Sequence, residues 1–544
     1  MEREKAGGPT RANLGLLLPA GIAVFVLLSH ASFLRLPYYW DELGQFVPAA
    51  LDIFQHGAWI PRSTVPNVHP PLVMAYLAAV WSVAGYSIAA TRLAMLALAA
   101  AGSWITHRLA IRMGLPADAA LSAGILLVIS PLFFAQSMLA QLDMPAMVFF
   151  SLALLLFLED RLRAAVAVSI VLVLVKETGV IAPLIFAGWL WREGRRRDAF
   201  WFLLPIVPLA AWLVMLDRAT GHLFGNASFT AYNLRYPLEP VRLALALARR
   251  LYYLLIGSGH WIGTIAAGLA LKRSTVFHTR EWKIAGSLAA AHVLLVSVLG
   301  GAVLERYLLP VLPVLYIAFA AAFWKFPVRW RVASTTALML GLIAANFVNP
   351  PYPFPMENNL AFTDFVKLHA QAARYLEKHF PRQRVATTFP LASALRRSEF
   401  GYVSSPLSVR EVESFQASDV ALLAREDVAV FVLYSLAWDP WGLMQNARWT
   451  AFLHRYYGYE PPVEGGDLRV LLGARLVARW TRRGQWIEIY RRQEAAHAQS
   501  TGDRNRTRNG GSGLPAASRS AAGISADHDL GLGATGAPGF DQPE

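Results

Sequence analysis

Long apolar runs separated by short polar segments dominate the first 349 positions, and their lengths and flanks predict a membrane-embedded helical body. Leu14 to Leu36 is long enough to cross a bilayer. The run from Leu72 to Ala84 is too short for a hydrocarbon core of about 30 Å and reads as a helix lying flat on the outer side. That reading also brings His107, Arg108 and Arg112 inside after the Thr91 to Leu109 span, as the positive-inside rule favours. Leu121 to Phe134 and Met144 to Leu158 follow as spans. Ala164 to Val175 and Val180 to Trp191 read as a hairpin, because one continuous helix would bury Lys176 mid-membrane and carry Arg195, Arg196 and Arg197 to the outer side. Phe200 to Leu216, Leu251 to Leu271, a span ending near Glu305, Leu308 to Trp324 and a span ending near Asn349 complete about eleven crossings. Arg249 and Arg250 then fall outside, against the charge rule.

At Asn349-Pro350-Pro351-Tyr352-Pro353 the pattern changes. Phe362 to Phe380 has helical periodicity, and Val428 to Tyr434 and Trp486 to Tyr490 read as strands. With an odd number of spans, residues 350–491 become an α/β domain on the outer face. Residues 1–13 are a cytoplasmic N-terminus, 14–349 the transmembrane domain, and 492–544, rich in Gly, Ser, Ala, Asn and Arg, a disordered tail. The fold class is a polytopic α-helical membrane protein with a C-terminal outer α/β domain.

Composition narrows the functions. Hydrophobic residues are 55% of 544 and charged residues 16%, which excludes an ordinary soluble enzyme. No cysteine is present, so disulfides and thiolate metal sites are excluded. The net charge of +14 reflects cationic inner loops, and nucleic acid is not an expected partner. The sequence contains neither a phosphate-cradling glycine loop nor a His-Glu-x-x-His motif.

The candidate chemistry lies at the outer ends of the spans. Asp41 and Glu42 follow the first span behind Tyr38, Tyr39 and Trp40, which form an aromatic belt where a helix leaves hydrocarbon. A carboxylate there can be a base, or it can cap the next short helix, of which Leu51 to Phe54 is part. His69 precedes two prolines, Arg92 opens the next span, Asp143 stands alone in an outer loop, Lys176 lies in the short hairpin, and Glu305 and Arg306 begin Glu-Arg-Tyr-Leu-Leu-Pro. Singly, such residues also serve as anchors in headgroups. Together, ionisable groups near membrane depth point to function.

The acid pair, His69-Pro70-Pro71-Leu72, Arg92, Gln141-Leu142-Asp143-Met144-Pro145, Lys176-Glu177-Thr178-Gly179 and Arg306-Tyr307-Leu308-Leu309-Pro310 occur in that order. Over roughly Leu14 to Asn349 this order resembles the GT-C glycosyltransferases, in the branch of glycosyltransferase family 39 protein O-mannosyltransferases and the lipid A aminoarabinose transferase. The resemblance implies a GT-C fold with horizontal helices in the first loop and a sugar donor carried on a polyprenyl phosphate. It implies a bacterial-type inner membrane with the site on its outer face. Asp41 would be the general base, with Glu42 and Asp143 as further catalytic acids. Lys176, Arg92 and Arg306 would meet the donor phosphate, and His69 and Glu305 would lie in the acceptor loops. The acceptor is a protein, a lipid or a glycan. No cofactor is required, although a divalent cation on Asp41 and Asp143 is compatible with their chemistry. A sugar-polymer ligase or polymerase is the nearer alternative, and a multispanning transporter the more distant one.

Overall fold

The computed structural model describes residues 11–349 and 356–493. The expected cytoplasmic segment up to residue 10 and the expected tail from 494 onward lie outside the described residues. Helix α1 (Arg11–His30) leads through a turn to a π-helical turn over Glu42–Phe46, then α2 (Val47–His56), α3 (Leu72–Ala84) and the long α4 (Ile88–Arg112). A run of α5 (Ala117–Ile129), α6 (Pro131–Gln136), α7 (Asp143–Leu158), α8 (Leu162–Val175) and α9 (Ile181–Arg192) follows. Next come α10 (Arg196–Trp201), α11 (Ile206–Thr220), α12 (Ala227–Thr230), α13 (Pro240–Leu255), α14 (His260–Arg273), α15 (Arg280–Val298), α16 (Leu312–Phe323) and α17 (Val328–Ala345).

Among the described residues, five helical stretches are long and apolar enough to cross a membrane: Ile88–Arg112, Arg196–Thr220, Pro240–Arg273, Arg280–Val298 and Glu305–Phe323. Several other apolar helices, α3, α5, α7 and α8 among them, are shorter, so this criterion does not reach the expected count of eleven. Val207 and Leu340 are 63% and 62% exposed, which would be costly in water and is natural against lipid. The chain is an integral membrane protein. The expected span from Leu251 to Leu271 is broken at Gly257–Gly259, where Ser258 has φ 56°.

α7 is apolar nearly all round and buried nearly all round, which marks it as the centre of the bundle. Lipid supplies little hydrophobic drive between helices, so close approach and dispersion hold the bundle together. At Gly102 of α4, a Cβ would sit 2.7 Å from Met147 of α7. A larger residue there would have to displace the end of the Met147 side chain.

Beyond the bundle, α18 (Ala361–His379) lies on a five-stranded mixed sheet ordered β2-β1-β3-β5-β4. Its strands are β1 (Val385–Thr387), β2 (Val409–Glu411), β3 (Val430–Tyr434), β4 (Ala474–Arg482) and β5 (Gln485–Arg492). β1 runs parallel to β2 and β3, and β5 is antiparallel to β3 and β4, with Val432 opposite Ile489. β3 is buried along its whole length, as expected of an apolar run at the middle of a covered sheet. Helices α19 (Leu391–Arg396), α20 (Ala417–Leu422), α21 (Ala447–Tyr457) and α22 (Gly465–Leu472) fill the connections.

The sheet unit grips the segment that carries the acid pair. The Tyr402 hydroxyl donates to the Tyr38 carbonyl (2.7 Å), and the Tyr86 hydroxyl donates to the Glu399 carbonyl (2.7 Å). Trp40 adopts φ 45°, a conformation rarely taken by a bulky residue. Phe389 and Phe365 pack against its ring at 5.6 and 5.9 Å and hold it there.

Candidate active site

Asp41 sits on the turn that enters the π-helical segment, a local geometry frequent at functional sites. It is 6% exposed, and its carboxylate accepts a hydrogen bond from Nη2 of Arg306. Asp143 begins α7, where the helix N-terminus favours a negative charge. Lys176 occupies the extended break after α8. Its Nζ donates to Asp143 Oδ1 at 2.5 Å and lies 4.2 Å from the centre of the Tyr307 ring. Nε of Arg306 lies 3.2 Å from the other Asp143 oxygen. One arginine thus links the acid of the first loop to the acid and lysine carried by α7 and α8.

A third carboxylate completes this group. Glu357 follows the bundle in sequence, and its Oε2 accepts from Arg306 Nη1 at 3.0 Å and from Gln141 Nε2 at 3.2 Å. Burial pushes its pKa up to about 7, opposed by the Arg306 charge and reinforced by Asp41 and Asp143. No periodicity or local motif marks Glu357 in the sequence. Its place depends on the chain returning to the bundle after a proline-rich boundary.

These groups open onto a cavity of about 830 Å³. Asp41, Asp143, Lys176, Arg306, Tyr307 and His69 line it, together with apolar residues including Phe224, Phe229, Val296 and Leu299. The sheet unit adds Phe389, Phe400, Arg396 and Arg397 to the wall. His69 Nδ1 is 2.9 Å from Glu177 Oε2, so Glu177 fixes the ring, which also meets Phe229 edge-on. A cavity lined by both charged and apolar residues fits an amphiphilic ligand.

Three of the expected site residues lie outside the cavity lining. Glu42 has no exposed surface and faces away from the cavity. It accepts from Arg92 Nη1 (2.5 Å) and Nη2 (3.0 Å), from the backbone of Tyr39 (2.8 Å) and from that of Ala140 (2.6 Å). With four donors already bound, it has no lone pair aimed at a substrate. Arg92 is equally committed, since it also donates to the carbonyls of Met138, Leu36 and Pro37, and this geometry makes it a clasp on the first loop. Glu305 is buried outside the cavity lining, paired with Arg249 and bonded by Asn358 Nδ2 at 2.7 Å. That pairing answers the charge-rule exception, because Arg249 is neutralised within the protein. As for a cation, among the described residues no group of three or more His, Asp or Glu is arranged to hold a metal ion.

Neither a protein-family model nor a curated protein sequence matches the chain. Among solved structures, ArnT from Cupriavidus metallidurans in the apo state aligns with a TM-score of 0.51 at 14% identity, over 88% of this chain and 98% of that one. The same protein bound to undecaprenyl phosphate aligns over the same shares with a TM-score of 0.48 at 15% identity. The Saccharomyces cerevisiae protein O-mannosyltransferase Pmt1-Pmt2 complex bound to the sugar donor aligns over 40% of this chain and 35% of that one, with a TM-score of 0.30 at 18% identity. This chain therefore shares the fold of the apo ArnT structure, in line with the resemblance its ordered motifs carry.

Proposed function

We propose that the protein transfers a sugar from a polyprenyl-phosphate-linked donor to an acceptor on the outer face of the membrane, with Asp41 as general base. The observation that carries this reading is the convergence of Asp41, Asp143, Lys176 and Arg306 on one large cavity that apolar residues including Phe224, Phe229, Val296 and Leu299 also line. In the reaction the acceptor hydroxyl attacks the anomeric carbon. Its proton passes to Asp41, and the bond from the sugar to the phosphate breaks with its electron pair leaving on the lipid phosphate. General-base help typically contributes on the order of 10²–10⁴ in rate. The phosphate that leaves gains charge, and Lys176 and Arg306 are the cations lining the cavity near Asp41 that can stabilise it. Their present partners, Asp143 and Asp41, hold them in position before the donor arrives.

Two experiments test the parts of this reading. Lys176→Ala should raise the apparent KM for the polyprenyl-phosphate sugar about tenfold or more, as expected for the loss of a charge-assisted bond, with little change in the KM for acceptor. An unchanged donor KM in a folded variant removes Lys176 from the phosphate site. The outer-face location is tested with Ser405→Cys in this cysteine-free chain. The thiol should react with an impermeant maleimide in intact cells, and labelling only after permeabilisation would reverse the orientation.

A further inference from the structure

Around Arg306 the charges do not balance. Three buried carboxylates, Asp41, Asp143 and Glu357, face two cations, Lys176 and Arg306, leaving one negative charge in excess when all are ionised. A lipid phosphate entering such a site adds further negative charge where water is excluded, and this is costly unless one carboxylate is neutralised. The three are not equivalent. Asp143 is held by both cations, and Asp41 must stay ionised to serve as a base. Glu357 has a share in Arg306 alone, plus the neutral Gln141 amide, and is 3% exposed. It also lies outside the cavity lining, on the far side of a guanidinium whose other nitrogens meet the lining residues Asp41 and Asp143.

We propose that Glu357 is a positioning residue that sets how much of the Arg306 charge reaches the donor phosphate, and that donor binding is accompanied by uptake of one proton onto Glu357. The proposal rests on the lipid-phosphate reading of the site. Protonated Glu357 can still accept from Arg306 Nη1 through its carbonyl oxygen, so the guanidinium keeps its place while its charge is no longer cancelled from behind. The groups facing Glu357 are Arg306, Asp41, Asp143, Gln141 and Tyr39, and of these only Arg306 opposes protonation by its charge. Its pKa of about 7 fits a proton available near neutral pH. The sign follows: below that pKa Glu357 is already neutral and binding needs no proton, whereas above it each donor bound must bring one.

The test is calorimetric titration of the full-length protein in detergent with undecaprenyl phosphate at pH 8, in two buffers of different protonation enthalpy. Wild type should take up about one proton more per ligand than Glu357→Gln, which mimics the protonated side chain. The variant should bind about tenfold tighter at pH 8, the factor set by one pH unit above the raised pKa, and the two affinities should converge below pH 6. Comparing the two proteins cancels any proton carried by the phosphate itself. Equal uptake and equal affinity at pH 8 would overturn the proposal and leave the lipid-phosphate reading intact. If the ligand binds neither protein, that reading fails and the proposal falls with it. Should the variant not remain monodisperse, wild type decides alone, since binding without proton uptake at pH 8 contradicts the role.

Discussion

Asp41→Asn is expected to insert, fold and bind polyprenyl phosphate while transfer falls by on the order of 10²–10⁴. Asparagine keeps the size of the side chain, and its carbonyl oxygen can still accept from Arg306, so the link between the first loop and Arg306 survives. What it loses is the capacity to take the proton of the acceptor. Donor affinity should rise slightly, because one of the three carboxylates around Arg306 becomes neutral. Single-turnover rates measured beside donor binding separate the two effects. Near-normal turnover in Asp41→Asn, together with a folded but inactive Glu42→Gln, would move the base to Glu42.

Glu42→Gln should fail for a different reason. Glu42 joins Arg92, the Tyr39 backbone and the Ala140 backbone, tying the end of the first helix to α4 and to the turn before α7. Replacing the carboxylate by an amide leaves Arg92 as a buried cation without its counter-ion. Breaking such a pair typically costs about 3–5 kcal/mol. The detergent-solubilised variant should melt well below wild type, and Arg92→Met should do the same. Turnover per folded molecule should fall far less than in Asp41→Asn. An unchanged melting temperature in both variants would show that the clasp is not structural.

The helical body could be read from the lengths of apolar runs, since a membrane helix must satisfy its backbone internally and be long enough to reach across. Asp41, Asp143, Lys176, Arg306 and His69 could be found because ionisable residues at such depth are costly and rare. What each does could not be told from position alone. Arg92 and Arg306 both stand near the start of helical segments, yet one is locked to Glu42 and to three backbone carbonyls, while the other lines the cavity. The difference lies in which way each side chain packs, which sequence spacing does not encode. Glu357 was hidden because it is close to Arg306 only through the tertiary return of the chain. The break at Ser258, by contrast, had a local signal in Gly257-Ser258-Gly259, where glycines flank the residue with positive φ.

Sugar transfer from a lipid phosphate at the Asp41 end of this cavity is the activity proposed for the protein. The most direct measurement supplies purified protein in detergent or vesicles with a panel of radiolabelled polyprenyl-phosphate sugars and membrane extract as acceptor. Wild type should release polyprenyl phosphate from at least one donor and label an acceptor in equal amount, and Asp41→Asn should do neither above background. Release of lipid phosphate from none of the donors, or transfer that is the same in Asp41→Asn, would contradict this activity.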